Sequence, residues 1–135
     1  MIVDASVAIK WLVREDDSGL ANLLIDRSDL AAPELIVCEL ANAIWKKWKR
    51  GELASVPKHL PRIIEIFDEV APMTALAARA AGIAIELDHP AYDCFYLALA
   101  EVRDDVVVTS DQRLMNKLAH TDYARLLVPM ESLAQ

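Results

Sequence analysis

The chain opens Met1-Ile2-Val3-Asp4-Ala5-Ser6, and the reading of this stretch decides the fold. Ile2 and Val3 are β-branched and run directly into an acid. A short buried parallel strand has this form, with its polar residue at the carboxyl end. Open α/β sheets carry their chemistry just beyond the carboxyl ends of the strands. Asp4 is therefore expected at the lip of a cleft, held by a central strand.

Outward from that strand, helical and strand patterns alternate. Ser6–Arg14 and Gly19–Arg27 read as helices and Leu30–Ala32 as a buried strand. Pro33 opens a long helix running to about Arg50, since proline suits a first helical position. Ile36, Leu40, Ile44 and Trp48 recur on it every four residues, and Gly51 ends it. Pro57–Glu65 reads as a helix and Phe67–Ala71 as a strand. Thr74–Leu87 is helical, with Leu76, Ala80, Ile83 and Leu87 on one stripe. Asp88-His89-Pro90 is a turn. Ala91–Val102 is a helix packing through Tyr92, Phe95, Tyr96 and Leu99. Val106–Val108 is a second β-branched buried strand. Asp111–Ala119 is helical, Leu126–Val128 a last strand, and Glu131–Ala134 a helical tail. Strands alternating with helices imply an α/β fold: a helix-rich three-layer α/β/α sandwich around a parallel sheet of four or five short strands.

Composition sets the outer bounds. The chain has 135 residues, 55% hydrophobic and 26% charged, which suits one globular domain over 1–135. No apolar run reaches the ~18 residues of a membrane span. An acid inside the first apolar stretch and no basic leader argue against a signal peptide, so a cytoplasmic location is expected. Cys38 and Cys94 are read as reduced, small buried helix residues. The net charge of −7 disfavours nucleic-acid binding by bulk electrostatics. It leaves room for a nuclease whose acids carry divalent metal, because the metal reverses the local sign.

Four acids stand at telling places. Asp4 and Asp111 follow strands, and Glu39 and Asp93 lie near helix N-termini. In a parallel sheet with helical crossovers these places share one edge. Glu39 shares its helix face with Asn42 and Lys46, a polar seam beside the apolar stripe. Two carboxylates about 5 Å apart repel by roughly 3 kcal/mol at an effective dielectric of about 20. Several together need protons or cations between them. Oxygen-only ligands point to a hard ion, Mg²⁺ or Mn²⁺. Such an ion can activate a water to attack a phosphodiester. Ser6 and Thr109 are hydroxyls placed to orient ligands or waters.

These residues together resemble the PIN-domain family and, within it, the VapC-type toxins of bacterial toxin–antitoxin pairs. The resemblance is carried by Ile2-Val3-Asp4-Ala5-Ser6, by Pro33-Glu34-Leu35 leading to Glu39 and Asn42, by Tyr92-Asp93 with Tyr96-Leu97-Ala98-Leu99-Ala100, and by Val108-Thr109-Ser110-Asp111. It covers nearly the whole chain in order. It implies a PIN-like sandwich and a Mg²⁺- or Mn²⁺-dependent endoribonuclease, with Asp4, Glu39, Asp93 and Asp111 as catalytic metal ligands. Ser6, Asn42 and Thr109 match the family's polar supporting positions. Ser110 departs mildly from the small residue usual there. The resemblance also implies a homodimer, an antitoxin whose C-terminal segment lies across the cleft, and operator DNA bound through the antitoxin complex.

Each acid also has a plainer reading. Asp4 or Asp111 can cap the following helix. Asp93 can favour the helix dipole. Lys46, Lys47, Lys49 and Arg50 flank Trp48 as an RNA patch or, as preferred here, as a solvated helix end with Trp48 in the core. Asp88 is read as a cap for the following helix. His59, His89 and His120 are scattered, and none is taken as a ligand or general base. Two other classes compete: a Mg²⁺-binding receiver-like module and a catalytically inactive interaction domain. A receiver needs a lysine late in the chain, and Leu126–Gln135 has none.

Overall fold

The protein is described by a computed structural model covering residues 1–135. Five parallel strands form one sheet: β1 (Ile2–Val3), β2 (Ala31–Pro33), β3 (Glu69–Ala71), β4 (Val107–Thr109) and β5 (Leu127–Pro129). Their order is β3-β2-β1-β4-β5. Ile2 pairs with Ala31 on one side and with Val107 on the other, so β1 is central. Six α-helices connect and cover the strands: α1 (Ala5–Leu12), α2 (Ser18–Asn22), α3 (Leu35–Lys49), α4 (Ala77–Leu87), α5 (Ala91–Arg103) and α6 (Gln112–Leu118). Helices α1, α2 and α3 pack together, while α5 lies against α4 and the central strands. The result is a three-layer α/β/α sandwich.

The reason β1 lies at the centre is in its side chains. Ile2 and Val3 are fully buried, each worth about 1.5–3 kcal/mol of burial. The backbone secures them on both sides: Ile2 N donates to Val106 O at 2.9 Å, and Ala31 N donates to Met1 O at 3.0 Å. One cluster of 33 buried apolar residues surrounds the sheet. Successive connections run outward from β1 through β2 to β3, and β4 then starts the other half on the opposite side of β1. The topological switch therefore falls between β1 and β4, the crevice where such sheets bind ligands.

Several boundaries differ from the expectation. Pro33 does not start a helix. It ends β2, paired with Ala71, and α3 begins at Leu35. A proline is tolerated at a strand end that needs no further ladder donor. The second helix stops at Asn22. The stretch Leu60–Ile66 is 3-10 rather than α-helical, as are Thr74–Leu76 before α4 and the tail Met130–Ala134.

The face of α3 also corrects the reading. Ile36, Leu40 and Ile44 are buried, yet Trp48 is 57% exposed. At about 100° per residue, a repeat of four drifts by about 40° each step. Twelve residues after Ile36, the stripe has turned about 120° off the core. Cys38 is exposed for the same reason, about 200° around from Ile36, whereas Cys94 is buried. Helix α3 does end at Gly51, whose φ of +77° suits a residue without Cβ. On α5, Tyr96 and Leu99 pack as expected, but Tyr92 in the first turn is 65% exposed. The buried run is instead Tyr96 to Ala100. Asp88 does not cap α5. It closes α4 in the left-handed region at φ +50°, which Asp tolerates better than most residues. Its carbonyl accepts from Lys117 Nζ at 2.7 Å.

Candidate active site

Asp4 is the buried centre of the site, with 6% of its surface exposed. It stands at the N-cap of α1, but its side chain makes no cap hydrogen bond. Instead Oδ2 accepts from Ser6 Oγ at 2.7 Å and from Thr109 Oγ1 at 2.8 Å. Both hydroxyls are held in place by the loop after β4. Ser6 Oγ accepts from Ser110 N at 3.0 Å, and Thr109 Oγ1 accepts from Asp111 N at 3.0 Å. Because each takes a backbone N–H on its lone pair, each turns its own proton to Asp4. The end of β1 and the end of β4 are thereby stitched across the switch point.

Burial pushes the Asp4 carboxyl up to about 6, against the pull of the Ser6 and Thr109 bonds. The negative charges of Asp93 and Asp111 push the same way. Glu39 on α3 is raised to about 7, first by burial, then by the charges of Asp4 and Asp93, while a bond from Tyr96 opposes the rise. So the charges of Glu39, Asp93 and Asp111 all reach the region of Asp4. The expectation that the four acids share one edge rested on topology alone, and the electrostatics agree with it.

Each acid shows the same pattern. One carboxylate oxygen is anchored by the protein and the other accepts no hydrogen bond. Asp4 is held through Oδ2 alone. Glu39 is held through Oε1, which accepts from Tyr96 Oη at 2.7 Å. Asp93 is held through Oδ2, 2.6 Å from His89 Nε2. Asp111 is held through Oδ1, which accepts from Leu114 N at 3.1 Å and so caps α6. For Asp111 the capping reading is correct, and it uses only one of the two oxygens.

None of these acids forms an ion pair with a lysine or arginine. Lys10 is bound to Glu15 and Asp17, and Lys47 to Glu15 and Glu52. A lysine salt-bridged into the cluster, which a receiver-like module requires, is not found. Lys46 lines a pocket of about 200 Å³ with Ser6, Glu39 and Asn42. That confirms the polar seam read on α3. Trp45 and Trp48 lie further along the helix, 50% and 57% exposed, with Lys49 Nζ 5.2 Å above the Trp45 ring.

Two partners of the acids were missed in the sequence. Tyr96 packs as the apolar pattern of α5 implies, and its hydroxyl also donates to Glu39. Burial and the charges of Asp4 and Glu39 keep that hydroxyl protonated far above neutrality. Its place three residues after Asp93, on the same helix face, was the available signal. His89, scattered from the other histidines, lies four residues before Asp93 and reaches its carboxylate. As placed, no three His, Cys, Asp or Glu side chains lie close enough to enclose an ion. The donor chemistry still suits a hard cation: four carboxylates, four unclaimed oxygens, and no thiolate or free imidazole among them.

A family model for the PIN domain matches residues 1–120. Ribonuclease VapC9 of Mycobacterium tuberculosis is 31% identical over 118 residues, covering 84% of this chain and 87% of that protein. Among solved structures, PAE2754 from Pyrobaculum aerophilum superposes with a TM-score of 0.70 at 28% identity, covering 98% of this chain and 84% of that one. A toxin–antitoxin complex from Klebsiella pneumoniae contains a chain of the same fold, with a TM-score of 0.67 at 14% identity and 96% of each chain covered. The chain therefore belongs to the PIN-domain family, among its VapC-type members.

Proposed function

We propose that this protein is a Mg²⁺- or Mn²⁺-dependent endoribonuclease, the toxin of a toxin–antitoxin pair. The observation that carries the reading is the set of four carboxylates at the β1–β4 switch point, each anchored through one oxygen and open at the other. A relative named as a VapC ribonuclease supports RNA as the substrate. Asp4, Glu39, Asp93 and Asp111 would hold the ion. When bound, a divalent ion supplies electrostatic stabilisation of a phosphate in transition and acidifies a water.

The remaining work falls to the chain itself. Ser6 and Thr109 fix the rotamer of Asp4 and offset part of its burial. Tyr96 fixes Glu39. Lys46, beside Glu39 and Asn42 in the same pocket, offers a cation to an entering phosphate. Asn42 offers an amide to the same group. Partners that follow are RNA, a small antitoxin protein, operator DNA through that antitoxin's complex, and a second copy of this chain, with all of them meeting in the cytoplasm. No helix is long and apolar enough to cross a membrane.

The test is cleavage of a defined single-stranded RNA by the purified chain with Mg²⁺, with Mn²⁺, or with EDTA. Cleavage is expected only with metal and is expected to vanish in Asp4→Ala and Asp93→Ala. Metal-independent cleavage at full rate by Asp4→Ala would sink the proposal.

A further inference from the structure

His89 lies outside the acid cluster and outside every motif that pointed to it. It occupies the tight turn between α4 and α5, fixed by its backbone N–H to Ala84 O at 3.1 Å. Its side chain is 14% exposed. One ring nitrogen, Nε2, lies 2.6 Å from Asp93 Oδ2. The other, Nδ1, is sealed from solvent and has no partner.

We propose that His89 is a positioning residue of the acidic site, whose Nε2–H locks one oxygen of Asp93 so that the other is aimed at a bound divalent cation. The inference rests on the metal-site reading given above. A carboxylate oxygen only accepts, so a contact of this length requires the proton on Nε2. Nδ1 is then a bare acceptor. A proton placed there would be a buried donor with nothing to receive it. The ring thus fixes the orientation of the carboxylate.

The turn makes this arrangement rigid. Asp88 closes α4 in the left-handed region, and Pro90 sets the entry to α5. His89 is held between them, with Asp93 one helical turn further on. Asp93 has 27% of its side chain exposed and, apart from His89, nothing in the protein binds it. Without the imidazole its carboxylate is free to rotate, and the ordering must come from the cation's own binding energy. Outer partners of metal ligands carry about 10–100-fold in affinity or activity.

The experiment uses the full chain and Mn²⁺ alone as the probe, read by calorimetry, beside RNA cleavage. His89→Phe keeps the ring volume and removes the donor. Its Mn²⁺ affinity is expected to fall about 10–100-fold, and kcat to fall with KM for RNA unchanged. His89→Gln, whose Nε2 reaches the same place, is expected to restore both to within a few-fold of the parent. Wild-type Mn²⁺ affinity in His89→Phe, while Asp93→Ala loses it, overturns the role of His89. Retained affinity in Asp93→Ala overturns the metal-site reading beneath it and this inference along with it. A readout free of metal and of folding effects in variants is the ¹⁵N imidazole spectrum of the parent in EDTA. It is expected to show His89 as the Nε2–H tautomer, and an Nδ1–H tautomer overturns the proposal.

Discussion

Substituting Asp4 with Asn tests the electrostatics of the site directly. Asp4 is buried, and burial raises its carboxyl from 3.8 to about 6. A folded-state value above the unfolded one means the folded protein binds the proton more tightly. The contribution of Asp4 to stability without metal is therefore greatest at low pH and is lost as pH rises through the folded value. The full shift corresponds to about 3 kcal/mol. About 2 kcal/mol of it develops between about pH 4 and about pH 8, because part of the unfolded population has ionised by pH 4. Asn keeps the shape and accepts from Ser6 and Thr109, but it never carries charge. The variant is thus expected to gain on its parent by about 2 kcal/mol as pH rises across that range. The assay is urea unfolding of both proteins in EDTA at the two pH values, with equal m values required so that only stability has changed. Adding Mg²⁺ is expected to stabilise the parent selectively, because only the parent offers a carboxylate at that position. A stability difference that does not change with pH, or one that shrinks as pH rises, would refute the reasoning.

Three further outcomes follow from the packing. Tyr96→Phe deletes the bond that lowers Glu39, so Glu39 is expected to titrate above about 7, followed by its side-chain carboxyl ¹³C shift, with a stability loss of about 1 kcal/mol at neutral pH. On α3, Leu40→Ala is expected to cost about 2–5 kcal/mol and Trp48→Ala under about 1 kcal/mol, and equal losses on thermal or urea unfolding would contradict the face described. Cys38, exposed, is expected to react with a maleimide in the native protein, whereas Cys94, on the buried face of α5 with its thiol raised to about 11, reacts only after unfolding.

Much of this was legible in the residues themselves. Ile2-Val3 before Asp4 identifies a buried strand because an apolar β-branched pair at that position has no better place to go. Val106–Val108 before Asp111 repeats the logic, with the strand itself one residue further on at Val107–Thr109. Alternation with helices then puts both acids at one edge, since a parallel sheet returns every strand in the same direction. The four acids, the supporting hydroxyls of Ser6 and Thr109, and the polar seam of Glu39, Asn42 and Lys46 follow from period and order alone.

Tertiary structure decided the matters that depend on angle and on neighbours distant in sequence. Whether Trp48 is core or surface turned on a drift of about 120° along α3, which a list of four-residue spacings hides. Whether Asp4 is a cap turned on Thr109 and Ser110, more than a hundred residues away, since only the β1–β4 pairing brings their loop to its side chain. Tyr96 and His89 were in plain view at helical spacing from Asp93, but a tyrosine in an apolar helix and a histidine in a turn each have ordinary explanations. The Tyr96–Glu39 bond exists because α5 packs in one particular rotation, and the His89–Asp93 bond because the turn between α4 and α5 places the imidazole over the first turn of α5. Local pattern determines which residues can meet at an edge, and packing determines which oxygen of each is held and which is left open.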